Sequence, residues 1–487
     1  MKKKQDQFKY PGALDVLEDE SFRLFLLNEF QKLKDHSPVK WISVTLPVPA
    51  ADPLAVLEQL PEKKQIYFWD NPELSVSIAA AGSSVILKAT GKNRFDDISR
   101  QSQKISKQIA AFTITEHSLA GPLFVGGYSF SDHNVGATWK NFGAARFVLP
   151  EWILIKSGHL HLLTVIIPVN GIRIEELYQK LIEQITCFLS YAGNDHLKIP
   201  GTINKPGIIV HSPDTDYEQW EKSVQKAKWY IRKNRFKKIV LARQMKAYSK
   251  NKISPTLLIH NLRLKFPTCY NFMISEPGGA TFAGATPERL ASFQHGRVLT
   301  EGLAGSISRG KSASEDAALA NHLMKSTKDR SEHEFVVRAI HETLLPFSRE
   351  VEHPETPQIK KLDNVQHLYT PITATTRNRI MIHQLVNELH PTPAVGGFPA
   401  KESLPYLNEL EHIDRGWYAG PVGWFNLNGS GEFAVAIRSA LLKDTEAILY
   451  AGCGIVKDSD PKSEWEETEL KLEPVLRALK KSEIRDE

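Results

Sequence analysis

Glu332 is an acidic residue within a helix face that is otherwise apolar, one turn before Val336. The apolar members of that face are Phe335, Val336, Ala339 and Ile340. A carboxylate among apolar side chains needs a cation or a hydrogen-bond partner, because burying an isolated charge costs many kcal/mol. The pattern permits a structural ion pair with lysine or arginine. It also permits a hard divalent cation such as Mg2+, which binds few protein carboxylates and leaves coordination sites for substrate oxygens.

The last helix, which the pattern predicts over about 461–480, carries a second group of charged residues. Glu464, Glu467 and Lys471 fall within an arc of about 60° beside an apolar stripe. The stripe consists of Trp465, Leu472, Leu476 and Leu479, and the other flank carries Glu466, Glu473 and Arg477. Glu467 and Lys471 are spaced for an ordinary i,i+4 ion pair, worth a few tenths of a kcal/mol. Spacing does not show which flank meets solvent, so a ligand-facing arrangement stays open beside the simple pair.

Lys238 begins a short apolar β run, Lys-Ile-Val-Leu-Ala-Arg. Strand alternation places it on one face with Val240 and Ala242. A lysine in a desolvated pocket can lose its proton and act as a general base. The alternative is a solvated lysine at the end of the basic stretch that includes Arg235 and Lys237.

Glu288 follows Pro287 in a turn, where it could serve as a general acid or pair with Arg289 as a turn carboxylate. Arg438 interrupts the apolar strand predicted over 433–442. Its planar guanidinium suits a bidentate contact with a ligand carboxylate, and an ion pair with another strand is the alternative. Together with the groups above, these residues predict a pocket for a divalent cation and a small dianionic substrate.

The elements that must position these residues differ between the two halves of the chain. The first half alternates helix and strand patterns, with strands predicted at Trp41–Leu46 and Leu160–Val169, and has no ionisable cluster that indicates chemistry. The second half is dense in strands and includes one long helical region, predicted over Ala313–Leu345. We place the boundary at a turn-rich stretch, which gives an N-terminal portion, 1–210, and a catalytic region, 211–487.

The composition is that of an ordinary folded protein. The 487 residues are 41% hydrophobic and 24% charged with a net charge of +5, which excludes disordered and low-complexity classes. The surplus charge is too small to indicate a nucleic-acid surface. Three cysteines without CxxC spacing indicate neither a disulfide framework nor zinc. Neither a signal segment nor an apolar run of membrane-spanning length is visible, so we expect a cytoplasmic protein without nucleic-acid or membrane partners.

Segments of the second half, read in order, match the motifs of a known family. They are Lys238-Ile-Val-Leu-Ala-Arg, Gly284-Ala-Thr-Pro-Glu-Arg-Leu, Leu303-Ala-Gly-Ser, Lys328-Asp-Arg-Ser-Glu-His, Val365-Gln-His-Leu, His390-Pro-Thr-Pro-Ala-Val-Gly-Gly, Arg415-Gly-Trp-Tyr-Ala-Gly-Pro-Val-Gly-Trp, Phe433-Ala-Val-Ala-Ile-Arg, and Ala451-Gly-Cys-Gly-Ile-Val with Glu464-Trp-Glu-Glu-Thr. The chain resembles the chorismate-utilising enzymes, and specifically isochorismate synthases. Phe68-Trp-Asp-Asn-Pro and Gly121-Pro-Leu-Phe-Val-Gly-Gly in the first half look like the longer menaquinone-type members.

The resemblance implies an α/β fold of the α+β type, with two large, mostly antiparallel sheets packed together and flanked by helices. Residues 1–210 are then expected to complete these sheets rather than to fold alone. It also implies one Mg2+-dependent site that binds chorismate. The chain itself would be a monomer or a weak homodimer.

The resemblance also implies roles for individual residues. Lys238 matches the lysine that activates water to attack C2 of chorismate, and Glu288 matches the acid that protonates the departing C4 hydroxyl. Glu332 and Glu467 match the Mg2+ ligands, with Glu464 close to them. The residues that match substrate contacts are Arg438 and Tyr418, which hold the enolpyruvyl carboxylate, together with Gly305, Ser306, Gly452, Lys471 and His367, whose own role stays open.

Four alternatives have distinguishing features in the sequence. Relatives that add ammonia typically lack the lysine at position 238, and the aminodeoxychorismate synthases among them tend to carry a nucleophilic lysine where this chain has Ala304. Salicylate synthases keep the first lysine but continue to pyruvate elimination, and siderophore-pathway isochorismate synthases are generally shorter at the N-terminus. A binding module without catalysis would not require every catalytic position to be filled. The pattern favours isochorismate synthesis.

Overall fold

The computed structural model describes residues 12–34, 37–60, 64–132, 135–192, 210–213, 216–276, 279–363, 365–378 and 380–481. The residues just before the predicted boundary, 193–209, lie outside this part of the chain. The α-helices are α1 (Ala13–Glu18), α2 (Glu20–Lys34), α3 (Pro53–Glu58), α4 (Arg94–Ser106), α5 (Ile174–Ala192), α6 (Tyr217–Arg232), α7 (Pro255–Lys265), α8 (Ala313–Lys325), α9 (Thr327–Leu344), α10 (Ile382–Leu389), α11 (Ala400–Ser403), α12 (Leu407–Leu410) and α13 (Pro461–Leu479).

Strands make up most of the remaining structure. They are β1 (Trp41–Pro47), β2 (Ile66–Asn71), β3 (Val76–Ala81), β4 (Val85–Ala89), β5 (Ile109–Thr113), β6 (Leu123–Tyr128), β7 (Ala145–Leu149), β8 (Trp152–Ser157), β9 (Leu160–Pro168), β10 (Val210–Pro213), β11 (Lys238–Tyr248), β12 (Tyr270–Ser275), β13 (Thr281–Thr286), β14 (Arg289–Gln294), β15 (Arg297–Ser308), β16 (Ser348–Glu352), β17 (Gln358–Lys361), β18 (Val365–Thr376), β19 (Gly397–Phe398), β20 (Pro421–Asn426), β21 (Gly431–Val435), β22 (Ser439–Lys443) and β23 (Glu446–Ile455). Short 3-10 helices lie at Pro72–Leu74, Ala137–Trp139, Leu345–Phe347 and Leu404–Tyr406.

The strands form two large sheets, which confirms the predicted fold class. The larger sheet has 13 strands in the order β10-β11-β23-β22-β13-β12-β2-β3-β8-β9-β1-β5, with β19 paired to β11. The smaller has 10 strands in the order β16-β18-β15-β14-β21-β20-β6-β7-β4, with β17 paired to β18. Among the described strands, β1 and β5 form the one parallel pair, and every other pairing is antiparallel. Each sheet contains strands from both sides of residue 210.

The two sheets pack face to face around a shared apolar core. Buried residues of both sheets, such as Phe282 on β13 and Phe433 on β21, belong to one contiguous cluster. Polar contacts also cross between the sheets, because Glu432 on β21 accepts hydrogen bonds from Asn71 and Tyr270 of the larger sheet at 3.0 and 3.1 Å. A second apolar cluster includes residues of the larger sheet together with residues of α5, α7 and α13. Burying each large apolar side chain contributes about 1.5–3 kcal/mol, so this double core holds both sheets in fixed relation.

The chain passes from one sheet to the other at two points that matter for the site. Between β13 of the larger sheet and β14 of the smaller lies Glu288, and between β21 of the smaller sheet and β22 of the larger lies Arg438. The backbones meet there, since the Ala285 amide donates to the Arg438 carbonyl at 3.1 Å. A Cβ on Gly284 would lie 2.7 Å from that carbonyl oxygen, so a larger residue would separate the two crossings.

One prediction about these elements is wrong. The apolar run 433–442 is not one strand: Arg438 adopts a left-handed backbone conformation, φ +53°, where the chain leaves one sheet for the other. The helical region predicted over Ala313–Leu345 is confirmed and consists of two helices, α8 and α9, because Ser326 has extended backbone and caps α9 by accepting the Asp329 amide. None of the helices in the described ranges combines the length and apolar character that a membrane span requires.

Candidate active site

One cavity brings together eleven of the twelve residues predicted to form the site. It encloses about 780 Å³ of space not filled by atoms, part of it open to solvent. The predicted residues that line it are Lys238, Glu288, Gly305, Ser306, Glu332, His367, Tyr418, Arg438, Gly452, Glu467 and Lys471. The twelfth, Glu464, does not line it, because it lies on the buried face of α13. Residues more than 200 positions apart therefore meet at one place, which the two sheet crossings make possible.

Lys238 is buried at the first position of β11, so the solvated interpretation is wrong. Its Nζ donates to Glu332 Oε1 on α9 at 2.6 Å. Gly454 on the neighbouring β23 makes room for the lysine, since a Cβ there would lie 2.6 Å from Lys238 Cε. Val240 shares the cavity-lining face, as strand alternation predicts. Lys238, the candidate base, is thus held in place by the Glu332 carboxylate and has room beside Gly454 of β23.

Glu288 is buried at the crossing between β13 and β14, and its Oε1 accepts a hydrogen bond from Thr392 Oγ1 at 3.2 Å. Burial, and then the negative charge of Glu301, raise the pKa of Glu288 to about 7. The predicted alternative, a pair with Arg289, is wrong: the Arg289 guanidinium instead contacts Tyr270 and Glu73. A carboxyl group with this pKa can hold a proton near neutral pH and donate it.

Arg438, His367 and Tyr418 present polar atoms to the same cavity. Arg438 is buried, and its Nη1 has no hydrogen-bond partner among the described residues. The predicted alternative, an ion pair with another strand, is likewise not found in that part of the chain. His367 Nδ1 hydrogen-bonds Ser306 Oγ at 2.9 Å, and burial lowers the pKa of His367 to about 3, so the ring is neutral. An orphaned buried guanidinium indicates an anionic ligand, because burying it unpaired is unfavourable.

Two carboxylates on the cavity wall come from different helices, Glu332 from α9 and Glu467 from α13. Each is paired with a lysine, because Lys238 lies 2.6 Å from Glu332 and Lys471 lies 2.5 Å from Glu467. Burial would raise the pKa of Glu332, but the Lys238 ammonium outweighs it and lowers the value. Burial and the charge of Glu467 raise the pKa of Glu464. No group of three or more His, Cys, Asp or Glu ligands occurs within the described ranges.

That donor set fits Mg2+. Magnesium typically takes one or two protein carboxylates and completes its octahedron with water and substrate oxygens. Glu332 and Glu467 supply two such carboxylates at one cavity, and the charge of Glu467 already acts on Glu464. A cation there would relieve this like-charge repulsion.

The family described as chorismate binding enzyme matches residues 28–480. The chain belongs to this family. It is 34% identical to isochorismate synthase MenF of Bacillus subtilis over 470 residues, which is 94% of this chain and 98% of that protein. It is 36% identical to the salicylate biosynthesis isochorismate synthase of Pseudomonas aeruginosa, with 90% of each chain covered.

Solved structures agree on the fold. MenF, the menaquinone-specific isochorismate synthase from Escherichia coli, aligns with a TM-score of 0.73 at 24% identity, covering 94% of this chain and 100% of that one. Component I of anthranilate synthase from Streptococcus pneumoniae aligns with a TM-score of 0.68 at 21% identity, covering 82% and 92%. The resemblance to chorismate-utilising enzymes seen in the motifs is confirmed.

In this chorismate binding enzyme, Lys471 and Gly452 meet at the floor of the cavity. Lys471 Nζ donates to the Gly452 carbonyl at 2.9 Å in addition to its pair with Glu467. Gly305 adopts φ +76° between the paired positions of β15 and β18, which places Ser306 opposite His367. Glycine is favoured at that dihedral, and the resulting bulge turns the cavity-lining residues of β15 toward the site.

Sequence reasoning missed several residues around the site of this chorismate binding enzyme. Arg415 lines the cavity and donates to the Val395 and Val240 carbonyls, both at 2.8 Å. Glu301 and Lys360 form an ion pair next to Glu288. The sequence does show a charged residue inside a strand pattern, as in Thr300-Glu301-Gly302. Charged residues are also common at solvent-facing strand positions, so this pattern alone does not indicate a site.

Proposed function

We propose that this chain is an isochorismate synthase, an isomerase that converts chorismate to isochorismate with Mg2+. Water adds at C2 of the ring and the C4 hydroxyl leaves, so one water molecule enters and one departs. The two relatives aligned over at least 90% of the chain both carry the name isochorismate synthase. The chemistry requires a base for water, an acid for a hydroxide leaving group, and positive charge for the substrate carboxylates.

The observation that carries the proposal is the presence of Lys238 and Glu288 on one cavity with different protonation tasks. Lys238, which is an ammonium in its ion pair with Glu332, would first have to release a proton and would then take one from water as the oxygen attacks C2. Glu288, whose pKa is raised to about 7, would give its proton to the departing C4 oxygen. After product release Glu288 regains a proton and the Lys238 ammonium loses one, so the enzyme returns to its starting state.

The substrate carboxylates would be held by Arg438 and Tyr418. Arg438 Nη1 is buried without a hydrogen-bond partner among the described residues, and a carboxylate of chorismate would supply one. Tyr418 lies beside it on the cavity wall and would add a hydroxyl donor. Binding then replaces an unsatisfied buried group with a charge-assisted hydrogen bond, which fixes the ring between base and acid.

Glu332 and Glu467 would hold Mg2+, and Glu464 would lie close to Glu467 on the buried face of α13. When bound, the ion supplies positive charge that offsets the ring carboxylate and these glutamates. The chain's own residues still place the reacting groups: Glu332 on α9 fixes the position of Lys238 Nζ at 2.6 Å, and Glu467 does the same for Lys471 at 2.5 Å.

We infer that the product serves menaquinone synthesis in the cytoplasm. The 98% coverage of the Bacillus subtilis MenF protein supports this pathway. The 36% identity to the Pseudomonas aeruginosa enzyme favours a second candidate, an isochorismate synthase of a salicylate or siderophore pathway. Expression in a bacterium that lacks both its menaquinone-specific and its siderophore-pathway isochorismate synthases tests the choice, because restored menaquinone supports the first candidate and restored siderophore alone supports the second.

A product assay tests the reaction itself. The purified chain is incubated with chorismate and Mg2+, with and without ammonia, and the products are separated. Isochorismate as sole product supports the proposal. Salicylate with pyruvate, anthranilate in the presence of ammonia, or recovery of unchanged chorismate would each contradict it.

A further inference from the structure

Glu301 and Lys360 lie outside the residues that act on the substrate in the proposed reaction, yet both hold the turn that carries Glu288. We propose that this ion pair is a positioning device for the general acid. The two charges of the pair also act in opposite directions on the proton of Glu288. The inference rests on the proposed function, because it assigns Glu288 the role of acid. It is carried by the contacts of the turn itself.

The pair forms hydrogen bonds with the backbone immediately before and after Glu288. Lys360 Nζ on β17 donates to the Pro287 carbonyl at 2.7 Å and to Glu301 Oε1 at 3.1 Å. Glu301 Oε1 on β15 also accepts the Arg289 amide at 2.9 Å. A single ion pair therefore binds both neighbours of Glu288, one through a carbonyl and one through an amide.

Other contacts complete the fixation of this turn. The Glu288 amide donates to Thr286 Oγ1 at 3.2 Å, and its carbonyl accepts the Val435 amide at 3.1 Å. The Arg289 side chain is directed away, to Tyr270 at 2.6 Å. With the backbone held at these points, the Glu288 side chain is left to line the cavity. This is the arrangement expected of a positioned catalytic group, whose supporting contacts fix it to within fractions of an ångström.

The charges that face Glu288 come from three strands. Glu301 on β15 raises its pKa, whereas Lys360 on β17 and Lys238 on β11 lower it, as does the hydrogen bond from Thr392. Arg438 and His367 line the same cavity, and burial keeps His367 neutral at functional pH. Glu301 is the negative charge that opposes these cations, and its side chain is 2% exposed, so water screens it little.

Stability alone is a poor explanation for this pair. A buried ion pair can often be replaced by apolar residues of similar volume without loss of stability, because desolvation offsets the attraction. Apolar residues could not bind the Pro287 carbonyl and the Arg289 amide, and they would remove both charges from the neighbourhood of Glu288. The pair is therefore suited to placing the acid and balancing its proton affinity.

Single substitutions distinguish a role of the ion pair in positioning Glu288 and setting its proton affinity from a purely structural role. Glu301→Gln keeps an oxygen that can accept the Arg289 amide but removes the negative charge, so the alkaline limb of kcat/KM moves to lower pH by about one unit. Lys360→Met removes the positive charge and moves that limb to higher pH, by a smaller amount. The double variant E301Q/K360M places the limb between the two. Glu218→Gln, which breaks an exposed pair with Lys222 on α6, leaves the limb unchanged.

A direct titration makes the test independent of turnover and of folding losses in one variant. The carboxyl carbon of Glu288 is followed by NMR in protein labelled with 13C-glutamate and assigned by its disappearance in Glu288→Gln. Opposite shifts of the Glu288 pKa in the two single variants support the proposal. This holds even if the wild-type protein does not convert chorismate, a result that would contradict only the proposed function. If the pKa of Glu288 is unchanged in the two single variants, or shifts in the same direction in both, the pair does not have this role, even where isochorismate is formed. If one single variant does not fold, the other is compared with the double variant, which leaves no unpaired charge. The second substitution must then move the Glu288 pKa back toward the wild-type value, and a pKa that does not move back overturns the pair's role.

Discussion

Lys238 and Glu332 form a 2.6 Å ion pair that joins the first residue of β11 to α9 at the wall of the cavity. If Lys238 takes the proton from water, its loss removes a catalytic step while leaving the sheet intact, because Glu332, whose side chain is 23% exposed, can bind water in place of the lysine. We expect Lys238→Ala to reduce kcat by about 100-fold or more with near-native circular dichroism. The exposed neighbour variant Lys237→Ala, as a matched control, should retain activity. Substantial isochorismate formation by Lys238→Ala would contradict the assignment.

The raised pKa of Glu288 predicts how activity depends on pH. An acid must be protonated to donate, so kcat/KM should fall as pH rises through about 7. Glu288→Gln removes the proton donor, and we expect at least about a 100-fold loss of activity across the whole pH range. Rates measured in overlapping buffers check both statements. Activity that stays level from pH 6 to pH 9, at constant chorismate and Mg2+, would show that Glu288 is not the acid.

The same group makes the fold sensitive to pH. Its pKa is about 7 in the folded protein against an ordinary 4.5, so the folded state holds this proton more tightly than the unfolded state. The stability it confers is present below pH 4.5 and is lost as pH rises through 7. In Glu288→Gln that loss is absent, so the variant should gain up to about 3 kcal/mol on wild type between pH 5 and pH 8. Urea unfolding at both pH values measures the change.

The exposed glutamate variant Glu355→Gln is the control for this comparison. Its difference from wild type should be the same at the two pH values. If Glu288→Gln behaves like this control, burial of the Glu288 carboxyl in solution is less than the structure indicates.

Residue types and periodicity predicted the six charged residues Lys238, Glu288, Glu332, Arg438, Glu467 and Lys471, which line the cavity. Gly305, Ser306, His367, Tyr418 and Gly452 came from the resemblance to the family. Lys238 and Val240 line the cavity together, as a two-residue period requires. The face of α13 was harder to place, because its buried residues include Glu464 and Thr468 whereas Trp465 is partly exposed. Helical periodicity identifies the apolar stripe of a helix. The buried face of α13 includes a carboxylate, so it does not coincide with the apolar stripe predicted from the sequence.

Contacts that depend on the path of the chain were not predictable. The apolar residues from 431 to 443 have the same pattern whether they form one strand or two, so the change of sheet at Arg438 leaves no periodic signal. Glu301 and Lys360 are 59 positions apart and meet because β15 and β17 both border β18. Such pairs follow from tertiary packing, and a single sequence does not contain that information.

Arg438 should determine affinity for the substrate carboxylate. Arg438→Lys keeps the charge but loses the planar fork, so we expect KM for chorismate to rise by about tenfold or more, with a smaller effect on kcat. Steady-state kinetics over a wide chorismate range separate the two parameters. Arg297→Lys, at an exposed position, provides the matched control. An unchanged KM in Arg438→Lys would show that this guanidinium does not hold the carboxylate.

Removal of the metal gives the last prediction. If Glu467 and Glu332 hold Mg2+, chelation by EDTA should abolish isochorismate formation, and added Mg2+ should restore it. Glu467→Gln removes one carboxylate, so the half-saturating Mg2+ concentration should rise by about 10- to 100-fold. Calorimetric titration with Mg2+ in the presence of chorismate reads the same change without relying on rates. Glu473→Gln lies on the same helix and breaks an exposed pair with Arg477, so its Mg2+ dependence should match wild type. Equal Mg2+ requirements in both variants would remove Glu467 from the metal site and leave its pair with Lys471 as its only function.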